Sequence, residues 1–261
     1  MRNGLWIFLL MISVQAIVAQ EYQLGKPLIH VSGEDFFTES VEVKLNFRLE
    51  GAAVHYTLDG SEPTMDSPAY KAPIHIEKST HLTAKAFKAG FLPSAQVERQ
   101  FIKLSAKLPE IEISPAPKPP YAGDGELTLT DQKAGSLNFR DGRWLGYDQG
   151  PLTLTIDLKG QDKISELILS TLNSPGSWIM PPTSIEWAHS KDGKAYVKVD
   201  KLEIDQMAEN SPGGKAYYSL KLPKHTFRYL RLVVTPLPSL PEWHPGKGNR
   251  AWLFIDEVIL N

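Results

Sequence analysis

The chain has no cysteine. That excludes disulfide bonds, thiolate nucleophiles and zinc sites built on sulfur. It does not argue against export, because 261 residues with 42% hydrophobic content can fill cores that need no covalent staple. A basic excess is also missing: 28 Lys and Arg stand against 30 Asp and Glu, for a formal net charge of −2. Without surplus cations to neutralise phosphates, nucleic acid is excluded as a partner. There is no HExxH, no nucleophile elbow and no phosphate-binding glycine loop. Beyond the N-terminus no segment reads as membrane-spanning, and none holds a 3.6-residue period.

The one apolar run sits at the start. Met1-Arg2-Asn3 supplies a positive charge, Leu5 to Val18 is almost wholly apolar, and small Ala19 follows. This is the anatomy of a secretory signal over residues 1–19, cleaved near Ala19 or Gln20. About 14 apolar residues fall short of the ~20 that span a bilayer, so no stable membrane insertion is expected after cleavage. With no cysteine behind the run, a lipid-anchored form is excluded. The expectation is an exported protein, periplasmic or extracellular.

Two all-β domains follow. Over residues 25–104, Val41, Val43, Leu45 and Phe47 alternate with polar neighbours, and Ile74 and Ile76 flank His75. Period two is the mark of half-buried strands, and Asp59-Gly60 supplies a turn. Residues 105–120 hold Pro109, Pro115, Pro117, Pro119 and Pro120 and read as a short, stiff linker, in which Ile111 and Ile113 can still form one strand. Residues 121–261 open a second domain. There Leu152, Leu154, Ile156 and Leu158 alternate with Thr153, Thr155, Asp157 and Lys159, further strands follow, and 252–260 is apolar on both parities. A closing strand buried on both sides, meeting the start of its domain, makes a sandwich.

Two resemblances attach to these domains. His55-Tyr56-Thr57-Leu58-Asp59-Gly60-Ser61-Glu62-Pro63-Thr64, with Ser67, Tyr70, Pro73-Ile74 and Lys85-Ala86, resembles the chitobiase/β-hexosaminidase C-terminal domain. Leu129-Thr130-Asp131, Gly135-Ser136, Asp141-Gly142-Arg143-Trp144, GSWIMPP from 176, SKDGK from 190 and WHPGKGNRAWLFIDE from 243 follow in order. Together they resemble the discoidin-like tail of bacterial family 20 β-N-acetylhexosaminidases. The resemblance implies a small immunoglobulin-like sandwich followed by a galactose-binding-like jelly-roll sandwich, without a catalytic barrel.

Asp256-Glu257 invites an enzymatic reading, since family 20 enzymes use an adjacent Asp–Glu pair. That pair belongs to a barrel for which this chain has no room. Strand neighbours also point to opposite faces, so the two acids are not expected to converge. The resemblance implies a structural calcium ion instead, held between the opening loop and an acid on the last strand. Asp131 matches the loop aspartate and Glu257 the terminal acid, with Ser136 and loop carbonyls completing an oxygen shell. Gln132 stands where the family has glycine, and Gly142 where it has threonine. Arg140 or Arg143 pairing with the acids is the alternative.

Trp144, Trp187 and Trp252 lie in or beside strand patterns and read as core. Trp178 and Trp243 lie in loops bounded by proline and glycine, the latter followed by His244, Asn249 and Arg250. A sugar presents an apolar face and a hydroxyl rim, so a site wants an aromatic platform with such polar groups beside it. These five are the candidate ligand-binding residues. The alternative is that both tryptophans pack under their own loops. The function expected is a non-catalytic carbohydrate-binding accessory protein tied to glycan degradation, with a glycan or glycoconjugate and a glycosidase as partners. The competing reading is a structural protein that packs on such a glycosidase and binds no sugar.

Overall fold

The computed structural model describes residues 22–104, 109–160, 164–224 and 227–261. The secretory signal expected at 1–19 lies outside them. Among the described residues no helix is long and apolar enough to cross a membrane. The fold is all-β.

The first module holds β1 (Leu28–Ser32), β2 (Phe36–Phe37), β3 (Val41–Asn46), β4 (Ala53–Thr57), β5 (Ile74–Ile76), β6 (Thr80–Phe87) and β7 (Val97–Lys103). They form two sheets, β1-β3-β5 and β2-β7-β6-β4. The apolar parity of each strand fills one core: Val41, Val43 and Leu45 meet Leu82, Ala84, Ala86 and Phe101. The Asp59-Gly60 motif is a turn. Asp59 Oδ1 accepts from the Ser61 amide (3.0 Å) and hydroxyl (2.6 Å), and Gly60 sits at φ +83° against His81. A side chain there would be strained by its φ and would clash with the imidazole.

The second module continues with β8 (Glu110–Ser114), β9 (Leu145–Tyr147), β10 (Leu152–Asp157), β11 (Glu166–Asn173), β12 (Ser184–Ser190), β13 (Val197–Glu203), β14 (Gly214–Lys221), β15 (Tyr229–Thr235) and β16 (Leu253–Leu260). Its sheets run β13-β12-β15-β10-β8 and β14-β11-β16-β9, with antiparallel pairing throughout. The proline-marked stretch is less of a linker than its composition suggests. From Glu110 it pairs along β10 as an edge strand, Ile111 facing Ile156. The prolines all flank that strand, where no ladder donor is lost.

Strand β16 explains its own doubled hydrophobicity. Leu253, Ile255, Val258 and Leu260 enter the sandwich core, so the inward parity switches between 255 and 258. The cause is a bulge: Ser170 pairs with Glu257 but Thr171 with Ile255, leaving Asp256 as the extra residue. Phe254, Asp256, Glu257 and Ile259 consequently lie off the sandwich core, toward the outer face.

That outer face meets the first module. Ile168, Ile259 and Ala134 pack with Phe36 and Ile102, and Tyr217 closes edge-on over Phe36 at 6.3 Å. Beside this cluster Asp35, 3% exposed, accepts from Arg99 Nε (2.6 Å) within its own module and from Lys215 Nζ across the junction. Asp35→Ala should cost about 3 kcal/mol, the scale of a buried ion pair stripped of one partner. Urea unfolding of that variant should split into two transitions. A single transition at the wild-type midpoint would show that Asp35 does not clamp the modules.

Candidate functional site

The loop between Thr130 and Trp144 is fixed from below. Trp144, 1% exposed, donates Nε1–H to the Ser136 carbonyl (3.0 Å). Gly135 packs on its indole so closely that a Cβ would lie 2.3 Å from the ring. Asp141 ties the loop to itself, accepting from the Ser136 amide (2.7 Å) and the Arg143 amide (2.9 Å). Two buried carboxylates then catch it. Gly135 N–H donates to Asp256 Oδ2 at 2.6 Å, and Gln132 N–H to Glu257 Oε1 at 3.3 Å.

The two acids thus converge on one loop, against the expectation from strand alternation, because the bulge turns both outward. They are 0% and 1% exposed, and Asp256 Oδ1 and Glu257 Oε2 are buried without a hydrogen-bond partner among the described residues. Burial pushes Glu257 up to about 9, with the charges of Asp256 and Asp131 adding to it. Burial likewise pushes Asp256 up to about 6, against the Ser170 hydroxyl and the Gly135 amide. Gln132 adopts φ +61°, the left-handed conformation that explains the glycine preference at this position.

The expected metal residues are only partly assembled. Asp131 and Glu257 act on each other electrostatically, but Ser136 is exposed and engaged with Asp141, Asn138 and Trp144. None of its hydrogen bonds reaches the acids. Among the described residues no group of three His, Cys, Asp or Glu gathers at metal-binding separation. The alternative arginine pairing is not seen either: Arg143 reaches the Ala134 carbonyl (3.1 Å) and Glu34 (3.9 Å), and Arg140 lies over Phe139. The orphaned Glu257 Oε2, with Asp131 beside it and carbonyl oxygens in the loop, suits a hard, oxygen-seeking cation.

The five candidate ligand residues do not share one environment. Trp178 is 40% exposed and caps a short 3₁₀ turn, Pro175–Ser177, at φ +66°. One side of its indole lies on Gly246, where a Cβ would sit 3.0 Å from the ring. His244 is buried: its Nε2 donates to the Pro175 carbonyl (2.8 Å), and its Nδ1 accepts from Gly246 N–H (2.9 Å). Nε2 staples the two loops and Nδ1 is taken within its own loop, so both ring nitrogens of His244 are occupied. Trp243 is half-buried against Met180, Leu240 and Ala251, the satellite core of its own loop. Asn249 folds its amide onto the Gly246 carbonyl (2.9 Å). Arg250 is exposed and opens onto a different cleft, with Thr235 and Pro236.

Trp178 instead joins residues that the sequence pattern did not mark as ligand-binding. It rims a cleft of about 290 Å³ with Tyr121, Phe139, Arg140, Trp252 and Phe254. Tyr121 is the hub, 5.0–5.7 Å from the rings of Phe254, Trp252 and Phe139. The Arg140 guanidinium stacks 4.2 Å from the Phe139 ring centre. Trp144 and Trp187 are buried as expected, whereas Trp252 is half-buried and lines the cleft. The available signal was weak: Phe139-Arg140 within a turn-rich loop, and Trp252 and Phe254 two residues apart at the end of the GNRAWLF segment.

Residues 32–98 match the family model of the chitobiase/beta-hexosaminidase C-terminal domain. No curated protein matches the chain. Among solved structures it is similar to the CBM32 of AlyQ in complex with 4,5-unsaturated mannuronic acid, at 15% identity and TM-score 0.35, covering 60% of this chain and 96% of that one. It is also similar to the C-terminal domain of a chitobiase from Bacteroides fragilis, at 17% identity and TM-score 0.33, covering 58% and 93%. A third is CpGH89CBM32-5 from Clostridium perfringens in complex with GalNAc-beta-1,3-galactose, at 16% identity and TM-score 0.37, covering 58% and 94%.

The buried acids set a pH dependence. A carboxyl whose folded value is raised favours the native state while protonated, so its contribution is complete below the ordinary value of 4.5 and is lost as pH rises toward about 9. In chelator, the melting temperature should therefore fall as pH is raised through that window, and Glu257→Gln should flatten the fall. Parallel profiles for the two proteins would mean that Glu257 is not held protonated in the fold.

Proposed function

We propose that this chain is an exported, non-catalytic glycan-binding accessory protein, working beside a glycosidase, whose second sandwich holds a sugar ring in the Trp178 cleft. The observation that carries this reading is the Trp178 indole, exposed on one side and braced on the other by Gly246 and the His244 staple. Such a platform is preorganised, so little side-chain freedom is lost when a ring stacks on it. Tyr121, Phe139 and Trp252 offer further apolar surface, and Arg140 a fork of donors for hydroxyls. The match over residues 32–98 supports a link to glycan breakdown. Neither Asp256 nor Glu257 is exposed to a substrate, which supports a binding role rather than hydrolysis. The competing structural reading would be favoured by loop tryptophans buried against the other module. Trp178 is not covered, and Trp243 packs on its own loop.

The test is a glycan array probed with the mature chain, followed by calorimetry on a retained glycan. Trp178→Ala should lose about 2 kcal/mol of affinity, some thirtyfold, as removal of a stacking anchor does. Its melting temperature should move little, whereas Trp144→Ala should cost roughly 3–5 kcal/mol of stability. A Trp178 variant that binds as tightly as wild type would refute the cleft as the site, and an array with no retained glycan would favour the structural reading.

A calcium ion held by Glu257, Asp131 and loop carbonyls would satisfy the orphaned carboxylate oxygen and fix the loop that carries Phe139 and Arg140. It would stabilise the native state by about 2.7 kcal/mol at one hundred times its Kd. EDTA should lower the melting temperature, and Asp131→Asn should lower it equally with calcium present. Identical melting curves in all three conditions would sink the metal.

A further inference from the structure

We propose that the Trp178 cleft and the Arg250 cleft are consecutive subsites for one glycan chain bearing an anionic group, a uronate carboxylate or a sulfate ester. This rests on the carbohydrate-binding reading above and adds to it the length and charge of the ligand.

The second cleft encloses about 490 Å³ and is lined by Asp148, Gln149, Thr183, Thr235, Pro236 and Arg250. Its floor is tight: Gly150 lies under Pro236, where a Cβ would come within 2.6 Å of the proline ring. The two clefts share a boundary. Lys118 Nζ stands 5.4 Å from the centre of the Trp252 ring, in the first cleft, and is ion-paired with Asp148, in the second. Arg250 and Trp252 are two residues apart on the segment leading into β16, so in extended chain their side chains leave on the same side, about 7 Å apart. One line of residues thus serves both clefts.

The charges along this line are unbalanced in one direction. Lys118 and Asp148 neutralise each other. Arg99, Arg143 and Arg228 each face a carboxylate, and of the described arginines that form no ion pair Arg140 and Arg250 are the two that line these clefts. Two guanidinium groups left free at the ends of an otherwise neutral track are more than a neutral sugar requires. A planar guanidinium meets a carboxylate or sulfate through two parallel N–H bonds, a geometry that an ammonium group cannot reproduce. An acidic peptide would satisfy the cations but offers Trp178 and Trp252 a ring face only where it carries an aromatic or proline residue, whereas every unit of a glycan presents one. The chain's overall negative charge gives no general attraction for acidic polymers, so the preference has to be local.

Calorimetry on the mature chain with three tetrasaccharides decides the matter: tetragalacturonate, a sulfated galactan tetrasaccharide, and neutral galactotetraose. At least one acidic probe should bind about tenfold or more tightly than the neutral one, the scale of an added charge-assisted hydrogen bond. That advantage should shrink with added salt. Arg250→Gln should bring the acidic-to-neutral affinity ratio close to one, and the acidic probe that shows the effect identifies the carboxylate or the sulfate as the ligand group. Trp178→Ala should weaken every probe that binds. Equal affinity for acidic and neutral probes, or a ratio untouched by Arg250→Gln, overturns the inference while leaving the aromatic cleft as a sugar site. Failure of all three probes, together with an empty glycan array, overturns both.

Discussion

The single extra residue in β16 governs how the loop, the cleft and the junction are arranged. An antiparallel strand alternates its side chains, and two adjacent acids should be divided between core and surface. The bulge at Asp256 removes that division. Leu253 and Ile255 enter the core on one parity, and Val258 and Leu260 on the other. Between them both carboxylates emerge on the outer face, where the loop from Asp131 to Trp144 supplies amide donors. A buried carboxyl left without hydrogen bonds is costly, so the two acids hold the loop through its Gln132 and Gly135 amides.

From that anchor the aromatic cleft follows in steps. The loop is clamped between the acids and the Trp144 indole, and its far end presents Phe139 and Arg140. Phe254, two residues before the bulge on the same outer face, forms the floor beneath them. The opposite wall comes from Trp178, held by a hydrogen-bonded histidine rather than by hydrophobic burial. Both its ring nitrogens are occupied, Nε2 across the two loops and Nδ1 within its own, so its contribution to any ligand is indirect. A polar residue in a loop motif can position an aromatic platform without touching what binds to it.

Much of this was legible in the sequence. Alternation marked β3, β5 and β10, and the Asp59-Gly60 turn has the hydrogen bonds that its residue types dictate. The burial of β16 on both faces was also legible, and so was the strand at Ile111 and Ile113. Three features were not. The bulge leaves only a parity switch, which is hidden where both parities are apolar. The role of His244 depends on a carbonyl 69 positions away, beyond any local pattern. Arg250 and Trp252 are near neighbours in sequence, yet they open onto separate clefts divided by the Lys118–Asp148 pair. Sequence proximity grouped Trp243, His244, Asn249 and Arg250 as one site, whereas the fold gives each a different surrounding.

The first module enters through the same outer face. Ile259 lies two residues beyond Glu257 and packs on Phe36 and Ile102, while Lys215 on the neighbouring sheet edge meets Asp35. One strand therefore contributes, in sequence order, the floor of the aromatic cleft, the acids that hold the loop, and part of the junction between modules. Ala134, in the clamped loop, belongs to the junction cluster as well. Loosening the acids would disturb the cleft and the junction through one segment of backbone. The first module does not need a ligand of its own to matter for the cleft, because it buries the apolar side of the loop whose other end carries Phe139 and Arg140.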